Sequence, residues 1–141
     1  WSLEYNTQNW QFTAEYQTLD YITKDVFGPG SKLTSPSLGY YLSASYRFND
    51  QWRGFIRHDV YYSDKNDKDG SEYQRQTGTP DHTRFAYDTT IGARYEINKH
   101  WLVSMEYHNI KGTAWLPSSE NDLSQSKERW DLFSAQISYK F

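Results

Sequence analysis

Apolar and polar residues alternate along almost the whole of this chain, while helical periodicity is nearly absent. Between residues 38 and 48, Leu38, Tyr40, Leu42, Ala44, Tyr46 and Phe48 alternate with Gly39, Tyr41, Ser43, Ser45 and Arg47. Between 85 and 97, Phe85, Tyr87, Thr89, Ile91, Ala93, Tyr95 and Ile97 alternate with Ala86, Asp88, Thr90, Gly92, Arg94 and Glu96. The same period marks 10–17, 101–108 and the end of the chain, a less regular stretch at 51–63, and a short one at 1–5. Successive side chains of a strand point to opposite sides of a sheet, so seven two-faced strands are expected.

The connections also alternate, short with long. The links at 6–9, 49–50 and 98–99 are tight and rich in Asn and Asp, as hairpin turns require. The other three, 23–36, 64–83 and 114–127, are long and polar, and all four prolines are expected in them rather than in strands. Tight turns on one side and long loops on the other describe an up-and-down antiparallel meander. A Trp follows each tight turn, in "QNWQF", "NDQWRGF" and "NKHWLV". Nothing in a soluble sandwich demands that, whereas at a bilayer surface Trp belongs to an aromatic belt.

Composition supports position-specific sorting. The mean hydropathy of −0.97 is that of a very polar chain, yet 18% of residues are aromatic, including 13 Tyr and 6 Trp. Disordered chains are poor in aromatics. The net charge of −3 makes no electrostatic case for a nucleic-acid partner, and the absence of Cys removes disulfides, thiol catalysis and zinc–thiolate sites. A soluble β-sandwich or lipocalin-like barrel would use the same apolar face as its core. The opposite face, however, is built of Ser, Thr, Gly and Gln with a few charges of both signs, unlike a water-exposed surface.

The final strand carries the most telling pattern: Phe133, Ala135, Ile137, Tyr139 and Phe141 at every second position, with Ser134, Gln136, Ser138 and Lys140 between. Together with the turn and loop asymmetry, this resembles a Gram-negative bacterial outer-membrane β-barrel, porin-like, over essentially the whole chain. The resemblance implies a transmembrane antiparallel up-and-down all-β barrel in the outer membrane. It also implies contact with outer-membrane lipids and lipopolysaccharide, and reading of the terminal Phe strand by the barrel-assembly machinery. Such barrels have an even strand number of at least eight. The seven strands at 1–141 are therefore expected to be one barrel domain lacking N-terminal strands.

Alternation assigns the inward charges: Glu15, Arg47, Arg53, Arg57, Asp59, Asp88, Arg94, Glu96, Glu106 and His108, with Glu4 and Lys140 at the margins. Acids and bases nearly balance, so they are expected either to interlock or to line a water-filled pore that passes small solutes. The expected role is a passive channel or structural barrel. The alternative is a surface receptor using loops 23–36, 64–83 and 114–127; a lipid-modifying enzyme is the third reading. Ser104, Glu106 and His108 share a strand face, but about 13 Å along the strand separates Ser104 from His108, too far for a nucleophile–base pair. Asp88 is the expected partner from another strand. No cofactor is expected. The loop "SDKNDKDGSE" offers Asp64, Asp67 and Asp69 as weak metal candidates, although an EF-hand register fails at Lys65.

Overall fold

The computed structural model describes residues 1–24, 32–117 and 119–141. Seven strands form one antiparallel sheet in chain order: β1 (Ser2–Asn6), β2 (Trp10–Lys24), β3 (Lys32–Arg47), β4 (Trp52–Tyr62), β5 (Phe85–Glu96), β6 (Trp101–Lys111) and β7 (Arg129–Tyr139). The all-β, up-and-down architecture is as the alternation predicts. The sheet is not closed, because β1 pairs only with β2 and β7 only with β6.

The three tight turns share one device. A side-chain oxygen at the start of the turn accepts the amide of the Trp three residues on: Thr7 Oγ1 from Trp10 at 3.0 Å, Asn49 Oδ1 from Trp52 at 2.9 Å, and Asn98 Oδ1 from Trp101 at 3.1 Å. The Trp carbonyl in turn accepts the amide of Thr7, Phe48 or Ile97. This local hydrogen bonding explains the recurrent turn-then-Trp spacing, since the polar residue closes the loop and the Trp opens the next strand. Each Trp then faces a Tyr directly across the neighbouring strand pair. Ring centroids are 4.7 Å apart for Trp10–Tyr46, 4.6 Å for Trp52–Tyr95 and 4.8 Å for Trp101–Tyr139.

These pairs are staggered. The pairing row through Trp10 runs on through Tyr46, Gly54, Ala93 and Met105. Trp52 lies two residues before Gly54, and Trp101 four before Met105, so the turns shift by one residue per strand. A shift of one residue per strand slopes the strands by about 36° from the perpendicular to the line of the turns, whatever the number of strands.

Two expectations about the links are corrected. Half of the expected link 23–36 is strand, since β2 and β3 remain paired as far as Lys24 and Lys32; residues 25–31 lie outside the described residues. Pro36 therefore stands in β3, opposite Asp20. In an antiparallel strand a residue's nitrogen and carbonyl point to the same neighbour. The Pro36 carbonyl accepts Lys65 N at 2.7 Å, so its missing N–H is on the side away from β2 and costs that ladder nothing. The link 64–83 contains a helix, α1 (Ser71–Thr77), and a 3₁₀ turn (Asp81–Thr83); the link 114–127 contains another 3₁₀ turn (Leu123–Gln125).

The two faces of the sheet are unlike. On β5, Ile91 is 54% exposed while its neighbour Thr90 is 3% exposed. Leu42, Ile56, Phe133 and Ile137 are likewise exposed, and Asp88 is buried. The buried apolar residues (Leu38, Val60, Phe85, Ala86 and Ile110) lie instead toward the long-loop ends of their strands.

Candidate functional site

Two inward rows of the sheet cross β3, β4, β5 and β6. In one, Tyr41, Asp59, Asp88 and Ile110 are consecutive partners; in the other, Ser43, Arg57, Thr90 and His108 are. Register thus sets two carboxylates, Asp59 and Asp88, directly opposite one another, an arrangement that repels unless answered. Each is answered from the other row. Arg57 grips Asp59 with two bonds, Nε to Oδ2 at 2.8 Å and Nη2 to Oδ1 at 2.5 Å, and its guanidinium lies 3.9 Å from the Tyr41 ring centre. His108 Nδ1 lies 2.7 Å from Asp88 Oδ2 and 2.9 Å from Thr90 Oγ1. The Thr90 hydroxyl donates to Asp88 Oδ1 at 3.3 Å. On the other side of the imidazole, Nε2 stands 3.5 Å from Glu106 Oε2. A buried or half-buried carboxylate is tolerable only with partners of this kind.

Loop residues complete the site. Gly112, at φ 92°, turns the chain out of β6 where a Cβ would lie 2.1 Å from the Phe85 carbonyl oxygen. The chain beyond is held by Thr113 N to the His82 carbonyl at 2.8 Å and Ala114 N to the Phe85 carbonyl at 3.2 Å. His82 Nε2 reaches the carbonyl and hydroxyl of Ser126, both at 3.1 Å. These bonds tie the second and third long links together and bring Trp115 over the inward face. Trp115 lines two recesses, about 390 and 300 Å³, that share Arg57 and Asp59. Phe55 walls the larger one, its ring lying where a Cβ on Gly92 would come within 2.4 Å.

Of the residues predicted for the site, Arg57, Asp59, Asp88, Glu106 and His108 come together. Glu15 joins the smaller recess beside Tyr41. Arg47, Arg53, Arg94 and Glu96 lie nearer the turns and outside this cluster. Asp88 does supply His108 with a partner from the next strand. Ser104 pairs instead with Arg94 and Gln136. The hydroxyl that does reach His108, on Thr90, uses the same ring nitrogen as Asp88, whereas a nucleophile and its orienting acid occupy opposite nitrogens. Trp115, Phe55 and Thr90 were not among the predicted site residues. Their only sequence signals are an isolated Trp in a polar link, an aromatic ring at an inward parity and a Gly at its cross-strand position.

The loop carboxylates serve the backbone. Asp67 accepts the amides of Glu72 and Tyr73 at 3.1 and 2.9 Å, Asp64 that of Asn66 at 2.8 Å, and Asp69 that of Ser71 at 3.2 Å. Among the described residues no group of three or more His, Asp or Glu is placed to hold a metal ion. In β7, Phe133, Ile137 and Tyr139 are exposed on the face opposite the charged cluster, Ala135 shares that face, and Phe141 follows the strand fully exposed. No protein-family model, curated protein or solved structure matches the chain.

Proposed function

We propose that this chain is part of a transmembrane outer-membrane β-barrel that acts as a porin-like passive channel for small solutes. The observation that carries the reading is the inverted sheet: Ile91 exposed and Thr90 covered, with the same inversion repeated on neighbouring strands. Water favours the opposite arrangement, and hydrocarbon favours this one.

The dimensions support it. On β4 and β5 the aromatic pair Trp52–Tyr95 bounds the apolar face at the turn end and Tyr62–Phe85 at the loop end. Ten residues of strand tilted by about 36° rise roughly 27 Å, close to the ~25 Å apolar band of such barrels. In this reading the exposed face meets outer-membrane lipid and lipopolysaccharide, and the apolar face of β7 is what the assembly machinery reads. Unpaired edges cannot stand in hydrocarbon, so the barrel closes through further strands between β1 and β7.

The inward face becomes the lumen, narrowed by Trp115 and by the ion pair of Arg57 with Asp59. The full-length protein reconstituted in planar bilayers should pass a small ionic current, raised by Trp115→Ala. Absence of current in both wild type and variant would sink the channel reading. Cysteine probes finding lipid contact at Thr90 and lumenal access at Ile91 would sink the barrel.

A further inference from the structure

The inward face near the turns carries a second charged group, and it is unlike the first. Arg47 pairs in register with Arg53, and Arg53 with Arg94, so three arginines stand side by side across β3, β4 and β5. Side chains directly opposite in a sheet have Cβ atoms about 5 Å apart, and like charges so placed repel. Among the described residues none of the three makes an ion pair. Arg47 Nη2 donates to the Gln8 carbonyl at 3.0 Å, a neutral partner. The row continues on β6 and β7 with Ser104 and Gln136, both uncharged. Phe55, seated over Gly92, stands between this row and the carboxylates of Asp59 and Asp88. A polar recess of about 150 Å³ opens beside Arg47 and Arg53, bounded by Thr7, Gln8, Gln11 and Ser45. Guanidinium groups fork two donors onto a planar or tetrahedral oxyanion, and rows of them in a lumen select anions.

We propose that Arg47, Arg53 and Arg94 form an oxyanion-binding station at the turn end of the lumen, taking dissolved solutes that bear carboxylate, phosphate or sulfate groups. Asp59 and Asp88 lie farther up the lumen and are spent on Arg57 and His108, and Glu96, two residues beyond Arg94 on the same face, makes no ion pair with the row. Three guanidinium charges thus stand beside a single carboxylate, and the excess is left for the solute. The transport role of the station rests on the channel reading above; the binding does not.

The test uses the full-length protein, purified in non-ionic detergent without phospholipid, with inorganic phosphate as the probe. Calorimetry should detect saturable binding. R53Q and R94Q should each weaken it roughly tenfold through loss of a charge-assisted contact, R53K should keep most of it, and the loop variant K68Q should not change it. In planar bilayers under a potassium chloride gradient, the reversal potential should report anion preference that falls in R53Q/R94Q. Phosphate binding that is absent, or unchanged in a folded R53Q/R94Q protein, overturns the proposal. Arginine-dependent binding with electrically silent bilayers supports the station and overturns the channel.

Discussion

Leu38 and Leu42 occupy the same face of the same strand, yet Leu38 is buried and Leu42 is 61% exposed. Phe85 and Ile91 repeat the contrast on β5, and Val60 and Ile56 on β4. In each pair the residue nearer the long loops is covered by protein and the one nearer the tight turns is not. At the loop end the molecule behaves as proteins do in water: apolar side chains are packed away and loop amides are paired. In mid-sheet it leaves its apolar face bare and covers the polar one. The change within four to six residues of one strand marks a change of surroundings along the strand, from water to hydrocarbon in the proposed reading.

Matched truncations test that contrast most directly. Leu38→Ala should cost about 2–5 kcal/mol, because a cavity opens in packed protein, whereas Leu42→Ala should cost less than about 1 kcal/mol, because lipid refills the space. Urea titration of the full-length protein in lipid vesicles measures both, and equal costs would break the comparison. Next in size, Ile91→Arg should destabilise by about 2–4 kcal/mol in vesicles if the middle of β5 faces hydrocarbon. A negligible effect there would place Ile91 in water.

On the opposite face, removing either member of the Asp88–His108 pair should cost about 1–3 kcal/mol, with the double variant Asp88→Ala/His108→Ala costing less than the sum of the two. Strict additivity would show that the two side chains do not act together.

The loop end yields smaller effects. Asp67→Ala removes the carboxylate that accepts the first amides of α1 and should cost about 1 kcal/mol, visible as faster hydrogen exchange at Glu72 and Tyr73. Acid should loosen the same helix. The Ser71 amide holds the Asp69 carboxyl below its ordinary value, and Arg75 followed by Gln76 does the same for Glu72. Groups depressed in the folded state contribute fully above the ordinary carboxylate range, and the contribution is lost as pH falls through their lowered values. Protection of the α1 amides, taken relative to intrinsic exchange at each pH, should therefore fall below about pH 4, while mid-sheet amides stay protected.

Much of this architecture is local and so legible in sequence. Alternation with period two is a property of each strand alone, and it foretells seven strands, their order, their two faces and which charged residues share a face. The Asn and Thr turns with their following Trp are equally local, because the capping bond spans three residues. What the tertiary structure decided is which inward charges meet. Asp59 faces Asp88, and Arg53 faces Arg94, only because of the register between β4 and β5, a relation between residues more than 25 apart. Register also separates an answered cluster from an unanswered row of arginines within one list of alternating charges. Pro36 reads as a loop residue and is a strand residue, since its freedom from pairing depends on where β4 ends. Trp115 looks like any loop aromatic until the bonds of Thr113 and Ala114 to His82 and Phe85 place it over the inward face. Period and turn chemistry act over two to four residues; register, loop docking and charge pairing depend on contacts that the chain makes only when its distant parts are assembled.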